Sequence, residues 1–258
     1  MRFSDYITAL PLADAPPLAS TERRTRDARA TPATTPLPIQ AAAVVNAGAV
    51  FSFVDGVPED VREDILYSVQ FAQRAASAAH DRFNEIPAWY RRYTEILETL
   101  GWAGDQLAFS AHRQNHADFR IDEAALAAIT AIATQHQLTA ITRSIEALSS
   151  LADDHGAIGI LDAQASGELG GNFQLGAVQR GSSDLYSMAL GAFYFRAADR
   201  KQRFLFFRWS SVELNLWTAV QRMTFNRLLY AAAREPIRQR LGKDATRLVV
   251  EVPLQAVN

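Results

Sequence analysis

The sequence predicts an α+β fold: an antiparallel β-meander of about four to five strands packed with flanking α-helices, in a single domain over residues 39–258. Three observations predict it. Residues 58–150 carry apolar stripes at spacings of three and four, the period of a helix with one buried face. Residues 157–210 show short apolar runs separated by "ASGELGG", "RGSS" and "ADRKQ", the rhythm of a meander. No strand–helix–strand unit repeats, so a doubly wound parallel sheet is not expected.

The elements follow in chain order. Six of the ten prolines fall in residues 1–38, which show neither helical nor strand period and read as a disordered tail. Its basic patch, Arg23, Arg24, Arg26 and Arg29, could meet an anionic partner or be a solvated linker. Pro58, Glu59 and Asp60 suit a helix start, and Val61, Ile65, Val69, Ala72, Ala76, Ala79 and Phe83 form its stripe. Pro87 opens a second helix that buries Trp89, Tyr93, Ile96, Leu97 and Leu100 and stops at Gly101. Residues 102–114 read as a strand. Asp122 caps a third helix, and Leu138, Ile141, Ile145 and Leu148 stripe a fourth, an antiparallel pair. Four strands are then expected in "AIGILDAQ", "NFQLGAVQ", "LYSMALGAFYFRA" and "RFLFFRWSS". Trp217, Val220, Thr224 and Leu228 start a helical stripe that runs to about Ala233, where Pro236 is expected to break or kink it. Gly242 is a stop, and "RLVVEVPL" reads as a last strand.

Bulk composition excludes more than it assigns. The chain has 258 residues, 48% hydrophobic, with a formal net charge of −2, so no global field draws it to nucleic acid or anionic lipid. It contains no cysteine, which removes disulfides, thiolate zinc sites, cysteine nucleophiles and S-acylation together. The N-terminus has no sustained apolar core and is a poor secretory signal. The run "AAAVVNAGAVFSFV" (41–54) is too short to span a bilayer. A soluble protein is expected, cytoplasmic or exported by a non-classical route.

Candidate chemistry is sparse. His112 and His116 share a spacing of four, but lack the glutamate and third ligand of a zinc protease, and read as surface polar residues. Asp153, Asp154 and His155 form "DDHG", which suits a turn better than a base and its orienter. "SGELGGN" is neither a P-loop nor GxGxxG, and Ser182 and Ser183 lie outside any GxSxG elbow. No catalytic residue and no metal site is expected.

The densest aromatic stretch is "AFYFRAADRKQRFLFFRW" (192–209). As a hairpin it is apolar on both faces, so both must be covered. Two helix layers would do this, as would one helix layer with a lipid, a partner or a cavity. Phe193, Phe195, Phe204, Phe206 and Trp209 are the candidate pocket lining. Arg196, Arg200, Lys201 and Arg203 cluster at the expected turn, where they would be solvated. A buried sheet offers no open face to bases, so no nucleic-acid partner is expected.

"FSFVDGVPEDVREDILYSVQFAQRAA", "WYRRYTEILETLGW", "ALSSLADDHGAIGILD", "GNFQ" and "LGAFYFRAADRKQRFLFFRWSS" together resemble the Evf-type bacterial virulence-factor family and related uncharacterised bacterial and fungal proteins. The resemblance runs from about Phe51 to Gly242. It implies a single α/β domain without known enzymatic activity. The family's named member holds a palmitoyl chain on a cysteine and associates with membranes; with no cysteine here, that attachment site carries over to no residue. The resemblance implies a non-enzymatic virulence or host-interaction factor that holds a fatty acid or membrane lipid non-covalently and needs no other cofactor. Two alternatives stay open: an interaction module whose basic tail docks a protein partner, and a hydrolase with dispersed catalytic residues.

Overall fold

A computed structural model describes residues 3–15, 41–105, 107–112, 118–197, 201, 203–210, 214–242 and 244–254. The four helices expected before residue 150 form: α2 (Glu59–Ala79), α3 (Ile86–Thr99), α4 (Ile121–Thr130) and α5 (Gln135–Ser150). Gly101 ends α3 at φ +89°, the left-handed geometry that glycine supplies cheaply. Thr134 and Gln137 make a reciprocal capping box on α5.

The sheet is larger than expected and mixed. Nine strands join, in the order β11-β1-β2-β7-β8-β10-β3, with β4 also on β10 and β6 also on β7. These are β1 (Ala42–Asn46), β2 (Ala49–Phe53), β3 (Trp102–Gly104), β4 (Ser110–Ala111), β6 (Ser166–Gly167), β7 (Gly170–Arg180), β8 (Leu185–Ala197), β10 (Leu214–Asn226) and β11 (Val249–Val252). Every pairing is antiparallel except β2 with β7, which is parallel.

Several expectations are corrected. "AIGILDAQ" is helix α6 (Gly156–Ala165), capped by His155 Nδ1, which accepts from Ala157 N at 3.2 Å. A short run apolar on all sides carries no period that separates strand from helix. β8 does not pair with "RFLFFRWSS": residues 203–207 are a turn, and only β9 (Arg208–Ser210) is extended, pairing with β5 (Asp118–Arg120). The partner of β8 is β10, along its whole length from Leu214↔Ala197 to Asn226↔Leu185. β10 was expected as helix because its apolar residues also fit spacings of three and four. Helix α7 (Arg227–Leu241) starts only after Asn226, whose Oδ1 accepts from Leu228 N and Leu229 N. α7 also runs through Pro236. Arg234 on one side of the proline pairs with Asp64, and Arg238 on the other with Glu63, so α2 holds both turns. Residues 3–15 are not an unstructured tail: Ile7 on α1 (Phe3–Ala9) and Leu10 just after it are buried against the core, while residues 16–38 lie outside the described residues.

Helices cover both sheet faces. α2, α3 and α7 lie over Phe51, Phe53, Val178, Met188, Leu190 and Phe225. α4, α5 and α6 lie over Val45, Val50, Phe173, Leu175, Ala189 and Phe193. The two faces alternate along β7 and β8, as the pleat requires. The two-sided apolarity of these strands therefore reflects two helix layers. A short helix α8 (Asp244–Arg247) leads into β11.

Gly170, at the start of β7, has φ +151°, and a Cβ there would lie 2.1 Å from the Phe195 carbonyl oxygen. Gly170→Ala is expected to lose about 1–3 kcal/mol, read as a lower urea midpoint; an unchanged midpoint contradicts the strand geometry.

Candidate functional site

The five aromatic candidates fall into one packed layer under α4–α6. Phe193 stacks on Phe173 at 5.0 Å, and Phe195 lies 5.3 Å from Phe204 and 6.0 Å from Trp209. Phe206 packs at the margin, with the Arg203 guanidinium 5.5 Å from its ring.

The basic cluster divides. Arg196 is exposed as expected. Arg203 is engaged: it donates to Leu151 O at 2.7 Å, Ser149 O at 2.6 Å and Asp153 at 2.9 Å, closing the C-terminal end of α5. Arg200 and the basic patch Arg23–Arg29 lie outside the described residues, as does His116.

The weighed catalytic candidates are not brought together. Ser182 and Ser183 are exposed in the β7–β8 turn, and His155 caps α6. No group of histidines and carboxylates suited to a metal exists among the described residues. His112 sits against Phe119, and burial lowers its pKa from the usual 6.5. The fold therefore favours neutral His112, and stability drops as pH falls through the ordinary histidine range. Its NMR titration midpoint is expected below 6.5; a midpoint at or above that value would contradict the burial.

A site that motif reading missed lies at the other end of the sheet. A cleft of about 410 Å³ is bounded by α2, the turn after it, α6, the β1–β2 turn and the N-terminal segment. Its walls include Gln73, Ser77, Arg82, Phe83, Gln164 and Leu248. The turn is rigid: Asp81 accepts from Phe83 N at 2.8 Å, Asn84 N at 3.1 Å and Asn84 Nδ2 at 2.9 Å, which holds its carboxyl below the usual range. That turn aims Arg82 inward. Its guanidinium donates to Gln73 Oε1 at 3.1 Å and Asn172 O at 3.0 Å, with a long contact to Gly48 O at 3.5 Å. It lies 5.0 Å from the Trp89 ring. All of these partners are neutral. Burial pulls the Arg82 pKa down to about 10, so it keeps its charge near neutral pH.

A polar network continues beneath Arg82 into the sheet. Asn172 Nδ2 donates to Arg82 O at 3.0 Å, and Tyr90 Oη donates to Asn172 Oδ1 at 2.5 Å. Gln174 Nε2 donates to Tyr90 Oη at 3.1 Å. Burial pushes the Tyr90 and Tyr93 hydroxyls well above their ordinary values, so both stay protonated. "AHDRFNE" carried one usable signal, a helix break followed by an arginine. That no carboxylate among the described residues comes to meet it is a tertiary fact that no local pattern encodes.

Ser77 Oγ accepts the Trp89 indole N–H at 2.9 Å, and His80 lies 3.8 Å from Glu85.

No family model and no curated protein matches the sequence. Among solved structures, a delta-endotoxin is 13% identical with a TM-score of 0.41, over 70% of this chain and 81% of its own. The Evf virulence factor is 11% identical with a TM-score of 0.34, over 80% of this chain and 84% of its own. At these values neither likeness assigns a family or an activity. Among the described residues no helix is long and apolar enough to cross a membrane.

Proposed function

We propose that this protein is a non-enzymatic ligand-binding protein and that its ligand occupies the cleft beside Arg82. The observation that carries the reading is the cleft itself: about 410 Å³ of space between α2 and α6, whose walls mix buried amides with apolar side chains. Ala13, Ala47, Phe83, Ala163 and Leu248 supply an apolar wall suited to part of an acyl chain. A fatty acid or lipid placed instead beside Phe193 and Trp209 would have to part rings already in contact. The cleft needs no such rearrangement.

Native mass spectrometry of the purified protein, with organic extraction of what it carries, tests this. One small amphiphile per chain is expected, and Ala163→Trp, which fills the cleft, is expected to remove it. Retention of the same ligand by Ala163→Trp would move the site elsewhere. A protein that carries no ligand and takes up no added fatty acid would end the reading.

A further inference from the structure

We infer that the inner end of the cleft is a receptor for an oxyanion head, a carboxylate or a phosphate monoester on a short apolar stem, with the Arg82 guanidinium as counter-charge and the Gln73 and Gln164 amides as donors. This rests on the cleft being the binding site, as proposed above.

Arg82 is held by neutral acceptors, and among the described residues no carboxylate lies within ion-pair distance of it. An enclosed cation without a counter-charge is costly, and an anionic ligand removes that cost. Two carboxylates line the cleft, Asp14 and Asp81. Asp81 is occupied by the turn amides it accepts from. Asp14 lies on the N-terminal segment, which Arg74 holds through Ala13 N→Arg74 O at 3.0 Å and Arg74 Nε→Ala13 O at 2.8 Å. Arg74 adds a second cation to the lining.

The cleft also holds a surplus of donors. Arg82 Nε, Gln73 Nε2 and Gln164 Nε2 are buried with no hydrogen-bond partner. Gln73 is 2% exposed and Gln164 8%. The orientation of Gln73 is set by chemistry: only its oxygen can accept from Arg82, so the unmatched atom is the amide N–H₂. One unmatched donor on the cation itself and two buried amide donors in the same cleft suit an acceptor-rich anion.

Gly48 leaves the guanidinium its place, because a Cβ there would lie 2.1 Å from Arg82 Nη2. Gly48→Ala therefore displaces the guanidinium without deleting its charge.

The test titrates the full chain with octanoate, octyl phosphate, octanol and inorganic phosphate, by calorimetry and by the quenching of Trp89. At least one charged octyl probe is expected to bind one per chain, about tenfold or more tighter than octanol. Arg82→Gln and Gly48→Ala are each expected to weaken that probe by about tenfold or more and to leave octanol unchanged. Octanoate exceeding octyl phosphate assigns a carboxylate. The reverse order assigns a phosphate ester, and inorganic phosphate matching octyl phosphate assigns the head alone. Octanol binding as tightly as the charged probes, indifferent to both variants, overturns the oxyanion receptor but leaves the cleft as a binding site. Failure of all four probes to bind ends both. Should Arg82→Gln fail to fold, Gly48→Ala and Gln164→Leu carry the test, since the Gln164 amide N–H₂ has no partner to lose.

Discussion

Arg234→Ala is expected to cost about 3 kcal/mol and to produce the largest loss among surface-reaching substitutions. Asp64 on α2 is 1% exposed and takes a two-pronged contact from Arg234 on α7, Nε at 2.7 Å and Nη2 at 2.5 Å. Removing the arginine strands a carboxylate where water does not reach it. Arg227 Nε, at 3.6 Å from the same carboxylate, is too long to replace a fork. The estimate sits at the low end of the range for buried pairs because the Arg234 side chain is 31% exposed and its charge is partly screened. Arg234→Lys keeps the charge and loses the fork, so it should fall between wild type and alanine. Urea denaturation followed by circular dichroism measures both. A loss under about 1 kcal/mol for alanine would place this pair with ordinary surface ion pairs.

Phe193→Ala should cost about 3–5 kcal/mol. Its ring is fully buried, stacks on Phe173 at 5.0 Å and covers bare Gly191, where a Cβ would lie 2.5 Å from the Phe193 ring. Deleting it opens a void between β8 and the α4–α6 layer that neighbouring rings cannot collapse to fill. Phe206→Ala, at the margin of the same layer, should cost about 1 kcal/mol. A shift in midpoint at constant slope identifies lost packing. Equal, small losses at both positions would mean that the ring layer is loose enough to admit a guest, and would reopen it as a ligand space.

The helical half of the molecule was legible because its stripes are long. The 21-residue α2 and 16-residue α5 repeat their apolar spacing over several turns. The sheet was less legible because its strands are buried on both faces. β2 reads "AVFSF", all five residues buried, and shows no alternation to betray it. β10 was hidden by coincidence, since Trp217, Val220 and Thr224 satisfy a helical period while belonging to opposite faces of a strand. The tight 203–207 turn inside "RFLFFRW" was hidden by its aromatic content, which is typical of strands. The two-sided covering of β8 was legible, because consecutive apolar residues leave no face for water. The Arg82 cleft was not, because its parts come from residues 13, 47, 73, 82, 164 and 248. Only folding brings those positions together, and what distinguishes the site is that Arg82 pairs with no carboxylate among the described residues.

The pairing of β11 with β1 decides how the sheet ends. β1 presents Ala43, Val44 and Val45, all at most 5% exposed, as a short greasy ribbon. Left bare, its free amides and carbonyls would be a template for a neighbouring chain. β11 caps that template with a strand of only four residues that carries an outward Glu251 and is followed at once by Pro253, which has no N–H to offer a further strand. β11 and Pro253 thus guard against self-association, and deleting Val249–Val252 should yield protein that folds yet clumps, read as a rise in light scattering.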